Sequence, residues 1–172
     1  MKRRTLLLSG LGAAGALIVG VCAAPPRGRL GKPQTLPVVD GQIGLNAWIK
    51  IAADGSVLLA SPRSEMGQGA HTGLAQLVAE ELDLPLARVQ IIEAGHDTLY
   101  GNVAASVGNL PFGPREMGPR DEGRLNVRLA AWFGAKLGRE LGLNVTGGST
   151  SLPDAWEPLR LAAATARAQL LA

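Results

Sequence analysis

Two segments combine residue types and spacing suited to binding chemistry. The first is Glu65-Met66-Gly67-Gln68-Gly69-Ala70-His71-Thr72, which lies between a strand-like run and a helix-like one. Glycines on both sides of Gln68 let the backbone approach a ligand without Cβ interference. Gln68 brings a donor and an acceptor to one point, and the helix start beyond it presents N–H groups that favour anions. The second is Thr146-Gly147-Gly148-Ser149-Thr150-Ser151, again leading into a helix. There Gly147, Gly148, Ser149, Thr150 and Ser151 offer backbone amides and hydroxyls to a phosphate or pyrophosphate. Each pattern also has a plain structural counterpart: a tight strand-to-helix turn for the first, a loop with an ordinary cap for the second. The second is not a Walker loop, since Gly-Lys-Ser/Thr is absent, and it is not a Rossmann Gly-x-Gly-x-x-Gly after a strand.

Other polar residues carry less. His71 either helps hold a ligand or serves as a satisfied structural histidine, and His96 has no evident role. Glu80-Glu81 reads as a solvated helix face. A single cysteine, Cys22, excludes an internal disulfide framework and a thiolate cage, and two histidines are too few for a His-built metal site. No residue is therefore assigned as catalytic or metal-ligating from the pattern.

The elements that must position these segments follow from periodicity and turn chemistry. Trp48-Ile49-Lys50-Ile51 and Ser56-Val57-Leu58-Leu59-Ala60 are strand-like runs joined across Asp54-Gly55, which predicts a β-hairpin. A helix is expected from about Thr72 to Leu82, capped by Thr72, with Leu74, Leu77, Val78 and Leu82 on one face. The run Val89-Gln90-Ile91-Ile92-Glu93 is the next strand. Residues 94–124, with six glycines and three prolines, show neither period and read as a long Gly-rich loop. Two helices follow. Leu125, Leu129, Trp132, Phe133, Leu137 and Leu141 mark the first, ending near Gly142. The second starts at Ser151, with Asp154 reaching back as in a capping box, and carries the stripe Trp156, Leu159, Ala163, Ala166 and Leu170. That stripe has no visible partner in the chain. The fold class is α+β.

Composition places the whole. The chain has 172 residues, 47% of them hydrophobic, 18% charged and only 3% aromatic. Six of its 17 basic residues precede residue 33, which leaves 11 basic against 14 acidic residues, a balance of −3, for the rest. Nucleic-acid binding needs clustered cations on the folded surface, so that class is excluded. Residues 1–24 read as an export signal: Lys2, Arg3 and Arg4, then an uncharged Leu/Ala/Gly-rich stretch. Arg3-Arg4 with Leu6 and Leu7 fits the twin-arginine pattern, with an ordinary secretory signal as the alternative. The stretch approaches the ~20 residues that span a bilayer and could stay as a membrane anchor. The expected location is the periplasm or the periplasmic face of the inner membrane. Residues 25–45, rich in Pro and Gly, read as a linker, and 46–172 as a partial domain.

The run Ser64 to Thr72, continued by Leu77-Val78-Ala79-Glu80-Glu81-Leu82, resembles the molybdopterin-binding large subunit of the xanthine oxidase family. The branch it resembles is that of isoquinoline 1-oxidoreductase β subunits and membrane-associated aldehyde dehydrogenases. Leu141-Gly142-Leu143, Thr146 to Ser151 and Asp154-Ala155-Trp156-Glu157-Pro158-Leu159-Arg160 match the same branch in the same order. The resemblance covers roughly the whole chain, with the Gly-rich loop its least familiar part. It implies hydroxylation of an aldehyde or N-heterocycle at a molybdenum centre held by a molybdopterin, in the cytosine dinucleotide form. It also implies an iron–sulfur small subunit and a cytochrome as electron partners. On that resemblance Gln68 matches a glutamine beside the metal's oxo ligand, Gly67 and Gly69 keep the backbone close, and Gly147 to Ser151 form a further cofactor-facing loop. The family's catalytic glutamate, in a Gly-rich motif near the C-terminus, has no counterpart here. The chain therefore reads as an N-terminal portion, inactive alone, whether truncated, frameshifted or split. A module of a different class, exported and non-catalytic, that keeps the fold for binding or scaffolding, is the alternative.

Overall fold

The computed structural model describes residues 3–25, 28–112 and 124–172. The helix α1 spans Arg3–Ala23; β1 is Ile43–Gly44, β2 Ile49–Ile51 and β3 Val57–Ser61. Then come α2 (Ala70–Leu82), β4 (Val89–Glu93), α3 (Val103–Gly108), α4 (Leu125–Leu141) and α5 (Ser151–Leu171). The strands form one sheet in the order β1-β2-β3-β4. β1, β2 and β3 are antiparallel, and β4 returns parallel to β3 through α2. This is the α+β arrangement expected, with the hairpin closed where Asp54-Gly55 predicted. Gly55 sits at φ +78° and its N–H donates to Ala52 O at 2.9 Å. The Asp54 carboxylate accepts from both the amide and the hydroxyl of Ser56, which stops the turn from opening.

The core lies between the sheet, α2 and α5. Trp48 and Tyr100 are fully buried and meet edge to face, ring centroids 5.0 Å apart. The Tyr100 hydroxyl donates to Ala47 O, which satisfies its one polar atom inside the core. Leu59, Leu74, Val78 and Leu159 complete the contact between layers. Asn46, also buried, donates to Ala162 O and accepts from the amides of Trp48 and Ile49, tying the start of β2 to α5.

Several expectations are corrected. α2 begins two residues earlier than predicted, and Thr72 does not cap it. The N-cap is Gly69 in the left-handed region at φ +77°, a conformation that glycine adopts freely. α5 does start at Ser151, but its N-cap is Thr150, whose side chain makes no capping bond to the helix, and Asp154 does not reach back. Of the α5 stripe, Leu159, Ala163 and Ala166 are buried, while Trp156 and Leu170 are about half exposed. The side that faces inward is made of Ala155, Leu159, Ala162, Ala163 and Ala166, and it has a partner after all, because α5 packs on α2. Small side chains allow that approach: Leu152 of α5 lies where a Cβ on Gly73 of α2 would stand.

The 94–124 segment is not structureless where it is described. Thr98–Tyr100 forms a 3-10 turn that buries Leu99 and Tyr100, and α3 follows, capped by Asn102, whose Oδ1 accepts from Ala105 N at 2.9 Å. A six-residue helix is too short to display a period, which is why the pattern missed it. Residues 113–123 of that expected loop lie outside the described residues. Within the expected linker, β1 joins the sheet and Leu36 is buried.

The backbones of Gly101 and Gly142 pass against each other ahead of α3 and after α4. A Cβ on Gly101 would stand 2.7 Å from Gly142 Cα, and Asn102 N donates to Leu143 O beside this crossing. No side chain is there to move aside. Gly101→Ala should therefore lower the unfolding free energy by about 2 kcal/mol or more, measured by urea titration; an unchanged midpoint would mean the crossing is not tight.

Candidate functional site

The loop after β3 and the loop before α5 are brought together. Both are exposed over most of their length. Ser64 N donates to Thr146 Oγ1 at 3.0 Å, joining residues 82 positions apart. The two segments singled out from sequence, 64–72 and 146–151, are therefore neighbours on one surface.

In the first loop a carboxylate organises the backbone. Glu65 Oε1 accepts from the amides of Gly67 and Gly69, and Oε2 accepts from His71 N, all at 2.9 Å. These are amides that the sequence pattern left for an external anion, and Glu65 engages them from within the chain. The His71 and Gly69 amide bonds, with a lesser contribution from Gly67, hold the Glu65 carboxyl below its ordinary value, against an opposing effect of desolvation. Gln68 folds onto its own loop: Oε1 accepts from Met66 N and Nε2 donates to Ser64 O at 2.8 Å. Gly67 and Gly69 have φ +92° and +77°, and a Cβ on either would project into open space. His71 Nε2 lies 2.7 Å from Arg63 O, so the ring donates to a carbonyl and ties α2 to the end of β3.

In the second loop Gly148 and Ser149 are consecutive left-handed residues at φ +60° and +57°. Thr150 Oγ1 donates to Gly147 O at 2.6 Å and accepts from Asn102 Nδ2 at 2.7 Å. Asn102 Nδ2 also donates to Val145 O, so one buried amide fixes both ends of the turn. Gly147, Gly148 and Ser149 are exposed, Thr150 is half-buried and Ser151 is buried.

Beneath the two loops lies a charged group that the sequence pattern does not reveal. Asp154 is buried, and its Oδ2 accepts from Arg63 Nη2 and Arg29 Nη2, each at 2.7 Å. Its Oδ1 accepts from Ala104 N at 3.1 Å, at the start of α3. Arg63 is fully enclosed, and its Nη1 donates to Tyr100 O and Asn144 Oδ1. Arg29 donates further to Leu99 O and Gly101 O. Burial pulls the Arg63 guanidinium below its ordinary value and Asp154 opposes that. Two cations and one anion leave a net positive charge below the loops. Arg63 Nε has no hydrogen-bond partner among the described residues. Asp154 stood in the sequence as a helix-capping residue, and Arg29 lay inside the expected linker; no local signal marks either.

Glu80 and Glu81 sit away from the loops: Glu80 is exposed and accepts from Gln76, whereas Glu81, expected to be solvated, is largely covered by its pairing with Arg160. His96 lines a shallow polar recess with Lys32 and Asp97. A cleft of about 710 Å³ runs along α4 and α5, lined by Arg29, Trp132, Lys136, Pro153 and Leu161 among others.

Two outcomes follow. Asp154→Asn removes the anion between two enclosed cations, which should cost about 3–5 kcal/mol, read by chemical denaturation with Glu80→Gln as an exposed control. Loss no larger than the control's would show that the cluster is not coupled to folding. For Glu65, the folded carboxyl is depressed, so its ordering of the loop is complete above the unfolded value of roughly 4.3 and is lost as pH falls through the lower folded value. The amide signals of Gly67, Gly69 and His71 should titrate together with a midpoint below roughly 4.3 in NMR spectra; separate midpoints, or one at or above that value, would contradict the shared carboxylate.

Residues 9–110 match the molybdopterin cofactor-binding domain family. The beta chain of isoquinoline 1-oxidoreductase from Brevundimonas diminuta is 49% identical over 61 residues, covering 35% of this chain and 8% of that protein. Xanthine dehydrogenase of Blastobotrys adeninivorans is 39% identical over 87 residues, 50% of this chain and 6% of that protein. Aldehyde oxidase 2 of Mus musculus is 42% identical over 64 residues, 36% and 5%. The matched part is thus 8% or less of the length of these relatives. No solved structure matches the chain significantly. With the family's pattern running over more than half of its length, from α1 through α3, this chain belongs to the molybdopterin cofactor-binding domain family.

Proposed function

We propose that the chain supplies cofactor-facing loops to the large subunit of a molybdenum hydroxylase that oxidises aldehydes or N-heterocycles with water as the oxygen source. The observation that carries this is the joining of the Gly67–Gly69 and Gly147–Ser151 loops through Ser64 and Thr146, above the positive Arg29–Arg63–Asp154 cluster. The ligand is a molybdopterin bearing molybdenum, in its cytosine dinucleotide form. When bound, that group supplies two-electron oxidation and delivery of an oxygen atom that originates in water.

The residues present fit such a group. Open space over Gly67 and Gly69 leaves room for a bulky ring system against the backbone. Gln68 holds its amide through two exposed bonds within its own loop, so turning it toward a ligand exchanges those bonds for others of similar strength. The left-handed pair Gly148-Ser149 forms a tight exposed turn, closed by Thr150 N donating to Gly147 O at 3.2 Å, whose small residues let a ligand come close to the backbone. Glu65 is engaged by three amides and Glu81 by Arg160, so the catalytic base is assigned to neither. It belongs to another part of the enzyme.

Electrons leave through an iron–sulfur subunit and a cytochrome. A relative named as the beta chain of its enzyme supports an assembly of several chains. Folded export through the twin-arginine route to the periplasm, or to the periplasmic face of the inner membrane, accords with Arg3-Arg4 at the start of α1 and the apolar run that follows them in it. The alternative, an exported non-catalytic scaffold, draws on Glu65 already occupying the amides of its loop.

The test is dye-linked aldehyde oxidation by the chain alone and by the chain assembled with a family iron–sulfur subunit and the remaining pterin-binding segments. No turnover is expected alone. Molybdenum-dependent turnover is expected in the assembly, and Gln68→Ala should lower kcat about 10²-fold, the effect of losing one aligned donor. Turnover by the isolated chain would overturn the shared-site reading; an assembly without molybdenum would favour the scaffold.

A further inference from the structure

α4 presents an apolar stripe to solvent and its packed side to the protein. Leu125, Leu129 and Trp132 recur at i, i+4 and i+7 and are 69%, 56% and 49% exposed. The other side of α4 rests on α3 and the segment after it, with Gly138 against Ser106 and Gly134 against Leu110. Arg124 and Arg128 are exposed beside the stripe. Lys136 continues the stripe one turn further, its ammonium 5.3 Å from the Trp132 ring. A helix with an apolar face, basic flanks and a tryptophan at the boundary has the chemistry of a segment lying in a membrane interface.

The neighbour of this stripe is α1. Lys136 Nζ donates to Cys22 O at 2.7 Å and to Ala24 O at 2.6 Å, so it caps the C-terminal end of α1 and fastens it to α4. α1 is 21 residues long, with mean hydropathy 2.2 over an 18-residue window and no buried residue. At 1.5 Å per residue it reaches about 32 Å, close to the ~30 Å hydrocarbon core. If α1 crosses or anchors in a bilayer, its fastened end emerges at Lys136, which sets the adjoining stripe of α4 at the lipid surface.

We propose that α4 is an interfacial helix that lies on an anionic lipid surface through Leu125, Leu129 and Trp132, with Arg124 and Arg128 facing the headgroups and Lys136 holding the end of α1. The proposal rests on the membrane reading of α1 and specifies how the folded part sits against the bilayer. The stripe commits to lipid because it is continuous with an apolar, exposed helix and is flanked by cations on a portion of the chain that is otherwise net acidic.

The experiment uses the full 172-residue chain in vesicles of phosphatidylethanolamine and phosphatidylglycerol with bromine near the headgroup end of the acyl chains. Trp156→Phe leaves Trp132 as the exposed indole, with Trp48 buried in the core. Trp132 emission should shift to the blue and be quenched by the brominated lipid, and Leu129→Asp should abolish the quenching while protease protection of α1 is retained. Unquenched Trp132 with α1 protected overturns the α4 proposal and leaves the membrane reading of α1 standing. Unprotected α1 overturns both. Shielding of Trp132 from aqueous iodide only when the iron–sulfur protein is added would reassign the stripe to a protein partner and also overturn the proposal.

Discussion

One carboxylate holds the parts of this molecule in register. Asp154 is enclosed on the first turn of α5 and takes Arg29 from the N-terminal segment, Arg63 from the end of β3 and the amide of Ala104 from α3. Each contact reaches a different element, so the group behaves less like an ion pair than like a junction. Taking three charges out of water carries a large desolvation penalty, offset only where the remaining donors are also satisfied. The pattern meets that demand almost fully: Arg29 finds Leu99 O and Gly101 O, and Arg63 finds Tyr100 O and Asn144 Oδ1.

A proline contributes to the same junction. Pro158 stands four residues after Asp154 and has no N–H to return to the Asp154 carbonyl. Arg29 Nη1 donates to that carbonyl at 2.9 Å and replaces the missing helical bond. A residue that would ordinarily weaken the helix instead leaves an acceptor for the N-terminal segment. Anchored this way, Arg29 also carries Trp48, whose indole N–H donates to Arg29 O. The core and the charged junction are thus continuous.

The two exposed loops inherit their geometry from this base. Arg63 fixes the last residue before the first loop and, through Asn144, the chain just before the second. Asn102, next to the junction, holds Val145 and Thr150. Glu65 and Gln68 then shape the first loop from inside. Rigid support below thus holds the small, exposed residues above in one arrangement, and conformational freedom lost in advance is not lost again if they bind.

Much of the architecture was legible in the residue order. Asp54-Gly55 determined the hairpin, short apolar strand-like runs determined β2, β3 and β4, and Gly142 and Ser151 bounded the last two helices to within a residue. The two Gly-rich segments were also legible as the loops that lead into α2 and α5. These features depend on turn chemistry and on periods of a few residues, which a short window of sequence contains. Which side of α4 and α5 faces inward was decided only in the tertiary structure: α4 turns Leu125, Leu129 and Trp132 outward, and α5 buries alanines because α2 approaches closely. The role of Asp154 was likewise hidden, since its partners lie 91 and 125 positions away in the chain. A carboxylate three residues into a helix looks the same whether it caps that helix or binds two distant guanidiniums. Only the packing that excludes water from it decides between them.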